Sequence, residues 1–206
     1  MIAIVPVNAP ERGKRRLAST FSSDQRRELV RTMLADVVDA CHATSGLGEV
    51  LVASPDPRLA PRGCAVIVDE GRGHAAALGE ALSSPPARSG ALVVMADCPL
   101  VSPATLERLT CSAAPVAVGP AQDGGTNALA LRPPDVIEPA FGVSDGARLV
   151  AERARAAGVE IDVVHDELLA LDLDTPEDAR RIAELGGGTA TQRLLRTLLP
   201  TSARTA

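Results

Sequence analysis

Three segments of the chain gather charged residues of the kinds that hold phosphates or ions. The first is Pro6-Val7-Asn8-Ala9-Pro10-Glu11-Arg12-Gly13-Lys14-Arg15-Arg16-Leu17, a Pro/Gly loop carrying the cations Arg12, Lys14, Arg15 and Arg16. Arginine makes bidentate phosphate contacts and lysine supplies a point charge, so such a loop suits a triphosphate. It is not a Walker A loop, because the Gly-x-x-x-x-Gly-Lys-Ser/Thr spacing is absent. A solvated charged loop has the same composition, and composition leaves both readings open. The second segment, Met95-Ala96-Asp97-Cys98-Pro99-Leu100, sets a carboxylate directly after an apolar run. A carboxylate there is costly unless it is paired or binds metal, and Mg²⁺ is held beside substrate phosphates through one or two carboxylates. A turn-capping aspartate is the alternative. The third segment is Leu171-Asp172-Leu173-Asp174-Thr175-Pro176-Glu177-Asp178. Spacing of two puts Asp172 and Asp174 on one face, so one of them offers a second ligand; alternatively, Asp174 only helps to start a helix.

Three glycine-containing turns are weaker signals. Gln122-Asp123-Gly124-Gly125-Thr126-Asn127 offers backbone amides, a hydroxyl and an amide side chain. Phe141-Gly142-Val143-Ser144-Asp145-Gly146 reads as a helix N-terminus, a natural anion site, with Ser144 also readable as a plain N-cap. Gly71-Arg72-Gly73 precedes another helix, where it suits a base or ribose. His42, His74 and His165 are not clustered, and Cys41, Cys64, Cys98 and Cys111 have no CxxC spacing. The cysteines read as free thiols of a reducing compartment.

The elements that must position these segments follow from hydrophobic spacing. Short apolar runs predict strands at Ala3–Val7, Val50–Ala53, Ala65–Val68, Ala91–Met95, Val116–Gly119, Ala128–Leu131, Ile161–Val164 and Ala170–Leu173. Helical spacing predicts helices over Asp24–Cys41, His74–Leu82 and Ser144–Ala157, with further helices opened by Ser102-Pro103 and Thr175-Pro176. Strands alternating with helices predict an α/β domain with a mostly parallel sheet and helices on both faces. Ligands of such sheets bind beyond the carboxyl ends of the strands, which is where the three charged segments fall. The run Gly186-Gly187-Gly188 divides a single domain over 1–188 from a short, loosely docked tail over 189–206.

Composition narrows the function. At 206 residues, with 46% hydrophobic and 23% charged residues, the chain is one globular domain rather than a disordered one. A net charge of −5 argues against general nucleic-acid binding. So does the aromatic count, since Phe21 and Phe141 are the only aromatics and build no stacking platform. No apolar run approaches a membrane span, and the start has no signal-peptide pattern, so a cytoplasmic protein is expected. Lys14 is the only lysine. Its rarity reads as a composition bias, but its position in the cationic loop is a separate matter.

Taken in order, these segments resemble a known family, the 2-phospho-L-lactate or phosphoenolpyruvate guanylyltransferases of deazaflavin coenzyme biosynthesis. The family belongs to a wider nucleotidyltransferase group that includes the molybdenum-cofactor guanylyltransferases. The stretches that carry the resemblance begin with Ile4-Val5-Pro6-Val7, Lys14-Arg15-Arg16-Leu17-Ala18, Gly73 with Ala76-Ala77-Leu78, and Ala96-Asp97-Cys98-Pro99-Leu100. They continue with Gly125-Thr126-Asn127-Ala128-Leu129, Phe141-Gly142, Asp172-Leu173-Asp174-Thr175-Pro176-Glu177-Asp178 and Gly188-Thr189-Ala190-Thr191. The resemblance implies a Rossmann-like, nucleotide-diphospho-sugar transferase (GT-A-like) fold. It implies Mg²⁺-dependent transfer of GMP from GTP to a small phosphorylated acid, namely 2-phospho-L-lactate, phosphoenolpyruvate or 3-phosphoglycerate, with release of pyrophosphate. It places Lys14, Arg16 and Asp97 at the reaction, the nucleotide on Pro6, Val7, Lys14, Gly73 and Asp97, and the metal on Asp97, Asp172 and Asp174. The acceptor falls to Thr126, Gly142, Asp145 and Arg148, and the family suggests a homodimer. Three positions depart from the pattern: Asn8 replaces a lysine, His74-Ala75 replaces Leu-Asn, and Asp145 replaces an acceptor-binding serine. A carboxylate beside an anionic acceptor repels it unless a metal or a cation such as Arg148 intervenes. The departures therefore leave open a related nucleotidyltransferase with another nucleotide or acceptor, of the CTP or molybdopterin type, or a nucleotide-binding module without turnover.

Overall fold

The computed structural model describes residues 1–8, 14–68 and 74–199. Among them are seven strands: β1 (Ile2–Pro6), β2 (Val50–Ser54), β3 (Ala65–Val68), β4 (Ala91–Val94), β5 (Val116–Pro120), β6 (Thr126–Leu131) and β7 (Ile161–Val163). Six α-helices accompany them: α1 (Ser23–His42), α2 (His74–Leu82), α3 (Pro103–Thr110), α4 (Gly146–Ala156), α5 (Pro176–Glu184) and α6 (Ala190–Leu198). The strands form one sheet in the order β3-β2-β1-β4-β6-β5-β7. The pairs β2–β3, β1–β2, β1–β4 and β5–β7 are parallel, while β6 runs antiparallel to both β4 and β5. The sheet is thus mostly parallel, as expected.

The strand sequences explain why both faces are covered. Ala3 and Val5 of β1, Leu92 and Val94 of β4, and Ala128 and Ala130 of β6 pack toward α1, α3, α5 and α6. The alternate residues Ile2, Ile4, Ala91, Val93, Leu129 and Leu131 pack toward α2 and α4. Apolar residues at successive positions of these central strands, each pointing to the opposite face, leave no wet side there, whereas the edge strands β3 and β7 are partly exposed. Helix ends follow local chemistry. Ser22 and Gln25 cap α1 reciprocally, Thr175 and Asp178 cap α5, and Thr189 and Gln192 cap α6. Among the described residues no helix is long and apolar enough to cross a membrane.

Four expectations need correction. Ala170–Leu173 is not a strand: Leu171 and Leu173 are buried in the core, and burial alone produces their alternation. The segment's backbone bonds run to loops, with the Leu173 N–H donating to the Asp97 carbonyl (2.9 Å) and the Gln122 N–H to that of Ala170 (2.9 Å). Next, β6 begins at Thr126, so Thr126 and Asn127 are buried strand residues rather than loop residues. The helix expected from Ser144 begins at Gly146, and Asp145, not Ser144, stands at its N-cap. Finally, the expected tail contains α6, whose Leu195 is fully buried. The Asp36 carboxylate of α1 accepts from the N–H groups of Ala190 (2.9 Å) and Thr191 (2.7 Å) at the start of α6. Free amides at a helix N-terminus favour an anion, so this contact seats the helix on the domain.

Candidate active site

The sheet changes direction between β1 and β4. The chain leaves β1 for β2 and β3 on one side, then returns to β4 on the other. Adjacent parallel strands that diverge in this way leave a crevice at their carboxyl ends. Pro6, Val7 and Asn8 emerge there from β1, and Met95, Ala96 and Asp97 from β4. The Met95 N–H donates to the Asn127 carbonyl (2.9 Å), which ties the turn to the start of β6, while the Leu173 N–H holds the Asp97 carbonyl from above.

A cluster of charges closes this crevice. The Lys14 ammonium donates to Asp97 Oδ2 at 2.7 Å and to Asp174 Oδ1 at 2.6 Å. Its side chain is only 10% exposed, whereas that of Asp174 is 43% exposed. Arg16 Nη1 reaches Asp174 Oδ2 from the solvent side at 3.9 Å. Asp174 is fixed by the cap of α5, its N–H donating to Asp178 Oδ2 at 3.2 Å. Carboxylate oxygens of Asp97, Asp172 and Asp174 all lie within 4.8 Å of one another. Lys14 adopts φ 56° and ψ 35°, a left-handed conformation uncommon outside glycine.

The electrostatics are uneven. Burial works against the Lys14 charge, but Asp97 and Asp174 more than offset it and hold the ammonium well above the ordinary lysine range. Among the described residues Asp172 accepts no hydrogen bond from Lys14, whose charge offsets only part of the load: burial first, then the neighbouring Asp97 and Asp174 charges, push its carboxyl up to about 6. Three carboxylates face one buried ammonium, and an all-oxygen set of this kind suits a hard divalent cation. Asp97 and Asp174 each have one oxygen on Lys14, and Asp172 has none, so all three keep an oxygen that could face such an ion. Cys98 lies fully buried against Asp97, with Sγ 4.0 Å from Oδ1, and burial raises its thiol well above the ordinary range. Cys41 is likewise pushed up to about 12 by burial. All four cysteines are free.

Two cavities adjoin at the crevice. One, of about 300 Å³, faces Lys14, Asp97 and Asp174 across Pro6 and Val7. The other, of about 400 Å³, lies toward α2 and has an apolar wall of Ala75, Leu78 and Phe141, with Gly142 at its edge. Pro6, Asn8 and Met95 line both. Met95 and Leu78 carried no signal as site residues, because lining a cavity leaves no pattern in an apolar run.

The residues expected at the acceptor are grouped differently. Thr126 is buried, and among the described residues its hydroxyl has no hydrogen-bond partner. It packs against the first residue of α4: a Cβ on Gly146 would meet the Ala140 carbonyl at 2.8 Å and Thr126 Oγ1 at 3.0 Å, so only glycine fits. Asp145 stands beside it at φ 60°, and its side chain makes no cap. Arg148 Nη2 lies 3.5 Å from Asp145 Oδ2, and Arg148 also donates to Glu152. The structure therefore brings Lys14, Arg16, Asp97, Asp172 and Asp174 into one cluster and Thr126, Asp145 and Arg148 around the start of α4. Gly142 sits in the apolar cavity. Gly73, with Arg12, Gly71 and Arg72, lies outside the described residues.

Comparison with known proteins supports the same region of protein space. A family model described as "Guanylyl transferase CofC like" matches residues 1–203. The phosphoenolpyruvate guanylyltransferase of Sphaerobacter thermophilus is 38% identical over 196 residues, covering 88% of this chain and 92% of that one. The 2-phospho-L-lactate guanylyltransferase of Natronomonas pharaonis is 37% identical over 188 residues, covering 91% and 87%. A crystal structure from Desulfovibrio desulfuricans G20, of a protein assigned to the nucleotide-diphospho-sugar transferases, superposes with a TM-score of 0.72 at 21% identity, covering 95% and 94%. That likeness bears out the expected fold class.

Proposed function

The chain belongs to the family of CofC-like guanylyl transferases, and from that premise we propose that it transfers GMP from GTP to phosphoenolpyruvate or 2-phospho-L-lactate, with Mg²⁺, releasing pyrophosphate. The observation that carries the reading is the Lys14–Asp97–Asp172–Asp174 cluster at the divergence of β1 and β4. In this reading the reaction is a step of deazaflavin coenzyme biosynthesis, carried out in the cytoplasm.

An acceptor phosphate oxygen is already anionic, so it attacks the α-phosphorus of GTP without a general base. The bond from that phosphorus to the β-phosphate bridge breaks, and pyrophosphate leaves. The chain's task is to hold two anions together and to neutralise the charge that grows on the leaving group. Lys14 and Arg16 supply cations on the side of the β1 exit. Asp97 and Asp172 are placed to hold Mg²⁺, which when bound supplies further positive charge at the phosphates. The backbone of Pro6 and Val7 and the apolar wall toward α2 offer the base a surface without an aromatic stack. Thr126, with its unpartnered buried hydroxyl, offers the acceptor a donor next to the first turn of α4.

A second reading keeps the transfer and changes the partner molecules. Asp145 puts a carboxylate one residue before Gly146, against which Thr126 packs, and Ala75 leaves Asn8 as the side-chain amide lining the apolar cavity. Phosphorus NMR of GTP, Mg²⁺ and phosphoenolpyruvate, 2-phospho-L-lactate or 3-phosphoglycerate in turn tests both readings. Pyrophosphate with either of the first two acceptors supports the proposal. Pyrophosphate with the third alone favours the second reading, and none with any acceptor or nucleoside triphosphate sinks the activity.

A further inference from the structure

Lys14 does something in this structure that a phosphate ligand alone would not. Its ammonium is spent on two carboxylates, at 2.7 and 2.6 Å, in a side chain that is 10% exposed. Its backbone is left-handed, a conformation uncommon outside glycine. The ammonium lies between Asp97 and Asp174, whose oxygens also fall within 4.8 Å of an Asp172 oxygen. It therefore sits where a divalent cation held by these carboxylates would have to come.

We infer that the Lys14 ammonium is a resident stand-in for the divalent cation, holding Asp97 and Asp174 together in the nucleotide-free protein and passing to the triphosphate when metal and nucleotide enter. The inference rests on the metal-dependent reading above. Without a cation between them, three carboxylates this close repel one another and lose their arrangement. One ammonium bonds two of them and, among the described residues, leaves Asp172 without a hydrogen-bonded cation. An incoming divalent ion matches all three, but it cannot share the position with an ammonium of like charge. Lysine can yield, because its charge rides on a flexible four-carbon stem, and Lys14 borders the cavity of about 300 Å³ in which a phosphate chain would lie. Metal alone must evict the ammonium into a place with no anion. Metal together with a triphosphate gives the ammonium a new partner. The two ligands therefore bind with positive coupling, each raising the other's affinity by the same factor.

The chain's lone lysine makes the exchange observable. With lysine labelled at Cε and Nζ, the protein has one side-chain ammonium signal. In the metal-free protein that signal is expected to be protected from solvent exchange. Mg²⁺ with a non-hydrolysable GTP analogue is expected to shift it and change its phosphorus couplings, whereas Mg²⁺ alone does so only at far higher concentration. In parallel, Mn²⁺ binding without nucleotide, followed by electron paramagnetic resonance, is expected to tighten about tenfold or more in Lys14→Met, within the usual range of coupling between sites. A lysine signal that stays put while metal and analogue saturate the protein overturns the inference but spares the proposed activity, as does unchanged or weaker Mn²⁺ binding by folded Lys14→Met. If Lys14→Met does not fold, the lysine signal of the unaltered protein decides. A protein that binds neither metal nor analogue and releases no pyrophosphate overturns both.

Discussion

Two places in this molecule repeat one pattern, a cation between two carboxylates. Lys14 sits between Asp97 and Asp174, and Arg148 between Asp145 and Glu152. The first is assembled from residues 83 and 160 positions apart and is 10% exposed at the lysine. The second lies along one helix turn on either side, and its arginine is 63% exposed. In the exposed set, water screens each charge and the pairs contribute little. In the first set the ammonium is nearly shut off from water while Asp174 stays partly exposed, so removing a carboxylate leaves a buried cation short of a partner. The same arithmetic of charges thus gives weakly coupled pairs in one place and a strongly coupled cluster in the other.

The comparison is broken most sharply at Asp97. Asp97→Asn is expected to lower pyrophosphate release by about 10²–10³-fold or more, with circular dichroism unchanged; turnover within a few-fold of the unaltered enzyme would put the chemistry elsewhere. Lys14→Arg keeps the charge but not the shape, since a forked guanidinium must replace a compact ammonium at 2.6–2.7 Å from two oxygens. A loss on the order of 10²-fold in kcat is expected from that misplacement, and kinetics like those of the unaltered enzyme would make Lys14 an incidental cation.

Asp172 gives a stability test with a definite sign. Its folded carboxyl is raised to about 6, above the roughly 3.9 of an unfolded chain. Its ionisation therefore costs the native state nothing below about pH 4, costs progressively more from pH 4 to 6, and the full amount above. Metal-free Asp172→Asn is expected to be more stable than the unaltered protein at pH 7.5, by about 1–2 kcal/mol once screening of a partly exposed group is allowed for. The advantage should vanish near pH 4, and added Mg²⁺ should raise the Tm of the unaltered protein more than that of the variant. Equal melting curves across this range would show that Asp172 is not under electrostatic load. The smallest effect belongs to the exposed set. Arg148→Ala is expected to leave Tm unchanged within calorimetric error and to raise the KM of the acceptor by only about threefold to tenfold, an effect that fades with added salt. A collapse in Tm would mean that the two sets do not differ as described.

Much of this was readable from residue order. Carboxylates that follow an apolar run, as at Asp97, stand out because a strand end rarely tolerates one without purpose, and Thr175-Pro176 with Asp178 announces a helix start. The alternation of strand and helix placed these residues at one edge of the sheet. What escaped reading has physical causes. The cationic loop marks Lys14 as a candidate, but nothing local marks it as the partner of Asp97 and Asp174, because no local pattern encodes a contact across so much chain. Leu171 and Leu173 alternate as a strand does, yet they are buried without pairing. Ser144 looked like a cap, but the left-handed turn at Asp145 moves the helix start past it. The amphipathic stretch after the glycines has only one strongly apolar face, and nothing local encodes that this face packs on α1 and α5.

The seat of α6 on Asp36 also sets a schedule. The two residues whose amides hold that carboxylate are made 154 and 155 positions after it. On a ribosome adding roughly 5–20 residues per second, α1 waits on the order of ten seconds with this flank uncovered. Helix α1 can form early, but its outer face is completed only when the segment around Thr191 has emerged. The nascent chain therefore keeps one side of α1 uncovered until residues 190–198 have emerged.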